Sequence, residues 1–241
     1  MINFNCESMN VAIWKNQLNN VSSAEKAKIL SGFFKTGKGQ YGEGDIFIGV
    51  TVPQNRAISK NFHSLSISEI SKMLREPIHE YRLAALLALI EKFKKNPESQ
   101  KEIVDLYLAN TDKINNWDLV DLSCPQIIGE YVLKNNSYEI IDNLSNSSKL
   151  WEQRIAIVST IRFIRNGKFD MTLKIAGKYL SHEHDLIQKA SGWMLREVGK
   201  KDEAALTGFL NEYYNIMPRT TLRYAIERLD KEVKSHYMKR K

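Results

Sequence analysis

The chain is poor in the features that mark secreted and membrane-spanning proteins. Two of its 241 residues are cysteines, Cys6 and Cys124, and no CxxC spacing occurs, which excludes a disulfide framework and a zinc ribbon. The longest apolar run, residues 83–90, is much shorter than the roughly 20 residues that a membrane helix needs. The N-terminus lacks the pattern of a signal peptide. We therefore expect a cytoplasmic protein without membrane contacts.

Proline is also scarce, with 5 residues in the whole chain, and no segment has the composition of a linker. A chain of this length that is 43% hydrophobic can bury one sizeable core, so we predict a single domain over residues 1–241. The formal net charge is +7. This excess is compatible with a polyanionic partner such as nucleic acid, although many proteins that bind none are mildly basic.

Helical periodicity dominates the sequence after about residue 65, for example in residues 82–90, 151–158 and 222–229. Turn and capping residues interrupt this pattern at Pro77, Asn96-Pro97, Asn135-Asn136, Asn166-Gly167, Ser181, Gly199 and Met217-Pro218. Glycines crowd into residues 37–49, and this glycine-rich loop is expected to join two helices. Because short connections place neighbouring helices antiparallel, the sequence predicts an all-α protein.

A weak internal repeat underlies the helices. Arg82, Asp118 and Arg154 follow one another at intervals of 36 residues, within similar short segments. A period of roughly 35–45 residues that holds two helices is typical of HEAT repeats. One helix pair cannot bury its own apolar face, so successive pairs stack into a curved array. We therefore predict a HEAT-like helical-repeat solenoid whose concave face can bind an extended partner.

The segment around Trp117 and Asp121 is the most informative for function. Asn116 is a suitable helix cap, and it places Trp117 and Asp121 at i and i+4, on one helix face. Pro125 cannot donate a hydrogen bond to the Asp121 carbonyl, so a kink is expected there. Taken alone, the pattern favours the simpler interpretation of a solvated carboxylate beside a packing tryptophan.

Repeat spacing adds two residues to this segment. Arg154 lies 33 residues after Asp121, and Trp193 lies 72 residues after it, which is twice the repeat length. Equivalent positions of successive repeats share one face of a solenoid, so these side chains would meet on one patch. The alternatives are a core position for Trp193, with Gly192 permitting close helix packing, and a structural ion pair of Arg154 with Glu152 or with a neighbouring repeat.

Together, the motifs resemble those of the AlkD-like DNA alkylation repair glycosylases, which are HEAT-like helical-repeat proteins. The similarity runs in order through GVTVPQNR (49–56), WDLVD (117–121), WEQRIA (151–156), KASGWMLRE (189–197) and PRTTLRYAIE (218–227). It implies an active site of two tryptophans, an aspartate and an arginine, at Trp117, Trp193, Asp121 and Arg154. It also implies a glycosylase that excises positively charged N3- and N7-alkylated purines from duplex DNA in base excision repair.

These residue types suit the removal of a cationic base. Such a base is already a good leaving group, so no general acid is needed, and cleavage builds positive charge on the deoxyribose. An ionised Asp121 would stabilise that charge and position a water molecule. Arg154 would favour the ionised carboxylate and is also suited to bind a phosphate. The flat faces of Trp117 and Trp193 would attract the cationic sugar or base.

Basic residues in the C-terminal half are the expected phosphate contacts: Arg219, Arg223, Lys189, Arg196 and Arg162. A helix with Pro218 in its first turn would add free backbone N–H groups beside Arg219 and Arg223. About half of the basic side chains are expected to be merely solvated.

Neither a metal ion nor another cofactor is expected. His182 and His184 stand at i and i+2, which predicts a first helical turn capped by Ser181 and not a metal site.

Two other functions stay open beside the glycosylase. A non-catalytic DNA-binding relative with the same fold would not need the Asp121 carboxylate. A protein-interaction scaffold, the commonest use of HEAT arrays, would lack a basic concave face and salt-dependent DNA binding. The complete set of two tryptophans, an aspartate and an arginine favours the glycosylase, with a monomer as the default state.

Overall fold

A computed structural model describes residues 9–239 of the chain, so Cys6 lies outside the described residues. The described residues form helices joined mostly by short turns, with one longer connection at residues 34–51, and their only β contact is a single parallel bridge between Ile46 and Ile78. Among them, no helix is both long enough and apolar enough to cross a membrane. The prediction of an all-α protein is confirmed.

The backbone packs into two compact units, with the boundary between Leu119 and Val120. The helices up to that boundary are α1 (Val11–Asn19), α2 (Ala24–Phe33), α3 (Val52–Ser59), α4 (Ile67–Leu74), α5 (His79–Lys95) and α6 (Gln100–Ala109). The boundary itself falls within α7 (Trp117–Cys124). Each unit buries apolar side chains of its own. The single domain over residues 1–241 stays a prediction.

The second unit continues with a further series of short helices. They are α8 (Glu130–Asn135), α9 (Tyr138–Asn146), α10 (Leu150–Ser159), α11 (Ile161–Arg165), α12 (Asp170–Lys178), α13 (Asp185–Gly199), α14 (Glu203–Tyr213), α15 (Arg219–Ala225) and α16 (Lys231–Met238). Every interruption predicted from turn and capping residues falls between helices or at a helix end. Local sequence was sufficient to predict these helix ends, because prolines and capping side chains act on the backbone of neighbouring residues.

In the first unit, α5 is the central helix. Of its 17 residues, 13 are buried, including charged residues at its N-terminal end. A helix that is apolar on most sides is surrounded by other helices, and α3 and α4 pack against this one. The start of α4 is fixed by a capping box, in which Ser66 and Glu69 exchange side-chain and backbone hydrogen bonds.

In the second unit, four ion pairs join residues at a nearly constant sequence separation. The separations are 31 to 33 residues, in the pairs Arg154–Asp121, Arg162–Glu130, Lys174–Asp142 and Arg196–Glu227. A constant separation means that successive helix pairs repeat the same arrangement. The structural repeat therefore has nearly the length indicated by the 36-residue interval in the sequence.

Where the sequence predicts a kink, residues Pro125–Gly129 form a π-helical segment, which follows α7 directly and leads into α8. Because Pro125 has no N–H, the regular i+4 hydrogen bond to the Asp121 carbonyl cannot form. A wider turn accommodates this missing donor. Such π segments are frequent at functional sites, and this one begins four residues after Asp121.

Gly192 allows α13 to pack closely against α15. A Cβ atom at this position would lie 2.5 Å from the carbonyl oxygen of Thr221 and 2.5 Å from the Cβ of Tyr224. Both distances are far below a van der Waals contact, so only glycine fits without movement of the backbone. The interpretation of Gly192 as a close packing residue is confirmed, and this contact sets the orientation of α13.

We expect Gly192→Ala to destabilise the protein by about 1–3 kcal/mol, because overpacking forces the two helices apart. Gly208→Ala is the matched control, since Gly208 lies in α14 with open space where the Cβ would stand. There, alanine should stabilise by roughly 0.5–1 kcal/mol through its higher helix propensity. Denaturant unfolding measures both effects, and stabilisation by both variants would contradict the close contact.

Candidate active site

Asp121 and Arg154 form a two-point ion pair in the second unit. Arg154, from α10, donates from Nε to Asp121 Oδ1 at 2.9 Å and from Nη2 to Asp121 Oδ2 at 2.8 Å. Its Nη1 donates to the Leu186 carbonyl at 2.6 Å. The planar guanidinium matches the carboxylate geometry, and it connects α10 to α7 and α13. Of the alternatives open from the sequence, Arg154 pairs with a neighbouring repeat and not with Glu152.

The two side chains of this pair differ in exposure. Arg154 is 6% exposed, whereas Asp121 is 17% exposed. A buried guanidinium is costly unless its donors are paired, so Arg154 requires an ionised partner. Asp121 supplies that charge and still reaches solvent. The arrangement is a fixed negative charge with an accessible side.

Trp193 lies on α13, the helix whose Leu186 carbonyl accepts a hydrogen bond from Arg154. It follows Leu186 by seven residues, which is two helical turns on one face, about 10 Å along the helix axis. Its side chain is half-buried. The indole is partly available to a ligand.

Trp117, the first residue of α7, is surrounded by aromatic side chains of the first unit. Its Nε1 donates to the Tyr41 hydroxyl at 3.2 Å. Its ring centroid lies 5.2 Å from that of Phe34 and 5.8 Å from that of Phe33. Trp117 is half-buried, whereas Phe33 is 60% exposed. The indole is therefore fixed in place while part of it remains accessible.

A buried charge network ties the start of α7 to the start of α5. His79 Nδ1 lies 3.0 Å from Asp45 Oδ2, and His79 Nε2 lies 2.9 Å from Asp118 Oδ2. Arg82 donates to Asp45 at 2.5 Å, and Asn116 donates to Asp45 at 3.2 Å. The glycine-rich loop, which contains Asp45, is thereby fixed to both helices.

His79 is protonated at neutral pH and donates from both ring nitrogens. Burial lowers the pKa of His79, but the carboxylates of Asp118 and Asp45 outweigh burial and raise that pKa to about 9. Burial likewise raises the pKa of Asp45, but the hydrogen bond from His79 and the Arg82 charge lower it to about 2. Sequence analysis missed this network. Its available signal was the group of charged residues at the start of α5, directly before the apolar run of residues 83–90.

The five expected phosphate contacts have different surroundings. Ion pairs engage three of them: Arg162 with Glu130, Arg196 with Glu227, and Lys189 with Asp185. Arg219 donates to the Met238 carbonyl at 3.3 Å. Arg223 is exposed on α15, and within residues 9–239 no side chain pairs with it. Its guanidinium is available to a ligand.

Two helix starts differ from the sequence expectation. Pro218 is the N-cap of α15, with an extended ψ of 138°, and not a residue of the first turn. The predicted Ser181 cap of α13 is wrong. His184 caps that helix through Nδ1, which accepts the Leu186 N–H at 3.2 Å. Burial lowers the pKa of the imidazole, which favours the neutral ring that such an acceptor requires.

His182 also serves the start of α13, since its Nδ1 accepts the His184 N–H at 3.1 Å. Across residues 9–239, no group of three His, Cys, Asp or Glu side chains is arranged to hold a metal ion.

The fold and the site define an all-α helical-repeat protein with a partly exposed carboxylate on a buried arginine. A sequence model of the family described as "DNA alkylation repair enzyme" matches residues 14–229. A solved structure described as "Predicted DNA alkylation repair enzyme from Enterococcus faecalis" shares the fold, with a TM-score of 0.72 and 20% identity over 87% of this chain and 97% of that one. A search among curated proteins gives no match. The chain belongs to the DNA alkylation repair enzyme family, as its motifs indicated.

The contribution of charged His79 can be tested with His79→Gln, which removes the cation paired with buried Asp118 and leaves Asp45 with Arg82 alone. We expect a loss of about 3–5 kcal/mol in unfolding free energy near neutral pH. Because the folded-state pKa is raised to about 9 from 6.5, the stabilisation is complete below pH 6.5 and declines as pH rises towards 9. The stability difference between wild type and variant should shrink over that range.

Urea unfolding at several pH values between 6 and 9 measures this difference. His236→Gln, at an exposed histidine of α16, is the matched control and should change stability little at any of these pH values. A difference between wild type and His79→Gln that stays constant with pH would contradict a charged His79.

Proposed function

We propose that this protein is a DNA glycosylase that excises positively charged N3- and N7-alkylated purines from duplex DNA in base excision repair. The observation that carries this proposal is the Asp121 carboxylate, which a buried Arg154 holds at two points while 17% of its side chain stays exposed. Membership of the DNA alkylation repair enzyme family supports it. The chemistry below follows from that carboxylate.

Asp121 is proposed to stabilise the positive charge that develops on the deoxyribose as the glycosidic bond breaks. A carboxylate ~4 Å from a unit charge, at an effective dielectric of ~20, gains about 4 kcal/mol. That energy corresponds to roughly a thousandfold in rate. A cationic base departs as a neutral molecule without protonation. Asp121 is proposed to orient the water that attacks C1′ and to accept the proton that this water loses, before passing it to solvent. The products are the free base and an abasic site.

Arg154 is proposed to act on the carboxylate and not on the DNA. Its donors are directed at Asp121 and the Leu186 carbonyl, and its side chain is 6% exposed. This burial argues against the phosphate contact considered from the sequence. Arg154 therefore keeps Asp121 ionised and prevents its rotation.

Trp117 and Trp193 are proposed to offer aromatic faces to the cationic sugar or base. Both indoles are half-buried, and a tryptophan that only filled the core would be enclosed. The proposal has four further parts. The fold is a HEAT-like solenoid with a concave DNA-binding face, and the partner is double-stranded DNA that carries alkylated bases. The protein is a monomer and is located in the cytoplasm.

Asp121→Asn tests the proposed chemistry. We expect roughly a thousandfold slower release of the base from a duplex with one N7-methylguanine in single turnover, with DNA affinity nearly unchanged. Asp142→Asn is the matched control, because Asp142 also pairs with a cation one repeat away, Lys174, and is not part of the proposed site. Its excision rate should equal that of the wild type.

Each alternative function has its own outcome in these assays. Unchanged excision by Asp121→Asn would refute the assignment of Asp121. If the wild type bound DNA but released neither N7-methylguanine nor N3-methyladenine, a non-catalytic DNA-binding function would replace the proposal. An absence of salt-dependent DNA binding would indicate a protein-interaction scaffold.

Arg223→Ala tests the proposed phosphate contact at the exposed guanidinium on α15. We expect weaker binding to duplexes of any sequence, and a slope of log affinity against log salt that is smaller by about 1. Lys168→Ala removes one charge from the exposed loop before α12 and should leave the slope unchanged. A loss confined to one DNA sequence would contradict a phosphate role for Arg223.

A further inference from the structure

The glycine-rich loop folds back against the end of α2, which brings Tyr41 to Trp117. A Cβ atom at Gly42 would lie 2.3 Å from the Phe34 carbonyl oxygen and 3.4 Å from Nδ2 of Asn116. The Gly42 N–H donates to the Lys35 carbonyl at 3.1 Å. Only a residue without a side chain permits this approach, so the glycine places its neighbour Tyr41 beside the start of α7.

Buried charges hold the far end of this loop. Glu80, which is 1% exposed, accepts the backbone N–H groups of Ile48, Gly49 and Val50 at 2.8–3.2 Å. A Cβ at Gly49, whose φ is +83°, would lie 2.0 Å from the Ser23 carbonyl oxygen. Hydrogen bonds and close contacts therefore fix the conformation of the loop between α2 and α3.

A stack of aromatic side chains packs against the indole of Trp117. The Phe34 ring lies 5.2 Å from Trp117 and 5.2 Å from Phe47, and Phe47 lies 4.4 Å from the His79 ring. Stacking restricts the tilt of the Trp117 ring, but it does not distinguish the two edges of the indole. The Nε1–H bond to the Tyr41 hydroxyl makes that distinction, because only one flip of the ring points the donor at Tyr41.

We propose that Tyr41 is a positioning residue for the excision reaction: its hydroxyl accepts the indole N–H and holds Trp117 with a face, and not its polar edge, towards the cationic substrate. The inference rests on the proposed function, in which that face attracts the charge on the sugar or base. It gives the glycine-rich loop a role in catalysis without direct contact with the reacting atoms.

The hydrogen bond itself can be observed without any activity. In protein labelled with ¹⁵N at its 4 tryptophans, the indole N–H signal of Trp117 is assigned by its loss in Trp117→Phe. Tyr41→Phe should shift this signal and speed its exchange with water severalfold, while the other indole signals stay in place. The experiment tests the hydroxyl alone, because the aromatic ring at position 41 is retained.

Tyr138→Phe is the matched control for the spectrum, since it removes a hydroxyl that bonds the Asn136 side chain at 3.1 Å. It should leave the Trp117 signal unchanged. If Tyr41→Phe gave the same Trp117 signal and exchange rate as the wild type, the loop would not hold the indole and the proposal would be overturned.

The catalytic consequence is measured by single-turnover excision of N7-methylguanine at saturating enzyme. Tyr41→Phe should be roughly two- to tenfold slower than the wild type, which is the effect of losing one neutral hydrogen bond. Its DNA dissociation constant should stay within about twofold. In the Trp117→Ala background, the same Tyr41 substitution should have no further effect, because the two residues act as one unit.

The outcomes separate this inference from the function on which it rests. A wild-type excision rate in Tyr41→Phe, or an equal loss with and without Trp117, would overturn the positioning role while the assignment of Asp121 stood. An inactive wild type would overturn the proposed function and, with it, the role of Tyr41 in excision. A slower rate accompanied by the spectral change supports the inference.

Discussion

The buried guanidinium of Arg154 is the constraint on which the second unit depends. A cation with so little exposure must have its donors paired inside the protein, and Asp121 and the Leu186 carbonyl provide the acceptors. The same contacts hold α7 and α13 against α10. Moving the Asp121 carboxylate would therefore leave the buried Arg154 guanidinium without its counter-ion. Stability and the proposed chemistry therefore rely on one interaction, and a substitution at Asp121 must be judged by DNA binding as well as by excision.

The first unit also contains buried charged side chains that are paired within the protein, at the start of α5. His79 is a cation between two carboxylates, and the adjacent Glu80 is a carboxylate beneath three backbone N–H groups. Together they fix the glycine-rich loop and the first turn of α7. Consequently the indole of Trp117, the first residue of α7, is held by side chains of the first unit.

Sequence reasoning succeeded where the determinants are local or periodic. Prolines and caps located the helix breaks, and the repeat interval placed Arg154 one repeat from Asp121, where the structure pairs them. It failed where distant segments meet. Nothing near Asp45 in the sequence indicates that it would contact His79. Nor does the sequence show that Arg162 and Arg196 would find acidic partners one repeat away, because the rotation of each helix pair decides which side chains face one another.

Membership of the family does not by itself decide catalysis, since one fold supports several functions; the accessibility of the carboxylate is the sharper criterion. Asp45 and Asp121 are both paired with an arginine. Asp45 is 2% exposed, and its two oxygens contact Arg82, His79 and Asn116, which is the pattern of a structural ion. Asp121 is 17% exposed. An ion pair needed only for stability gains nothing from an exposed edge, whereas a carboxylate that must approach a charged sugar requires one. The difference in exposure therefore favours Asp121 as the residue that meets the substrate.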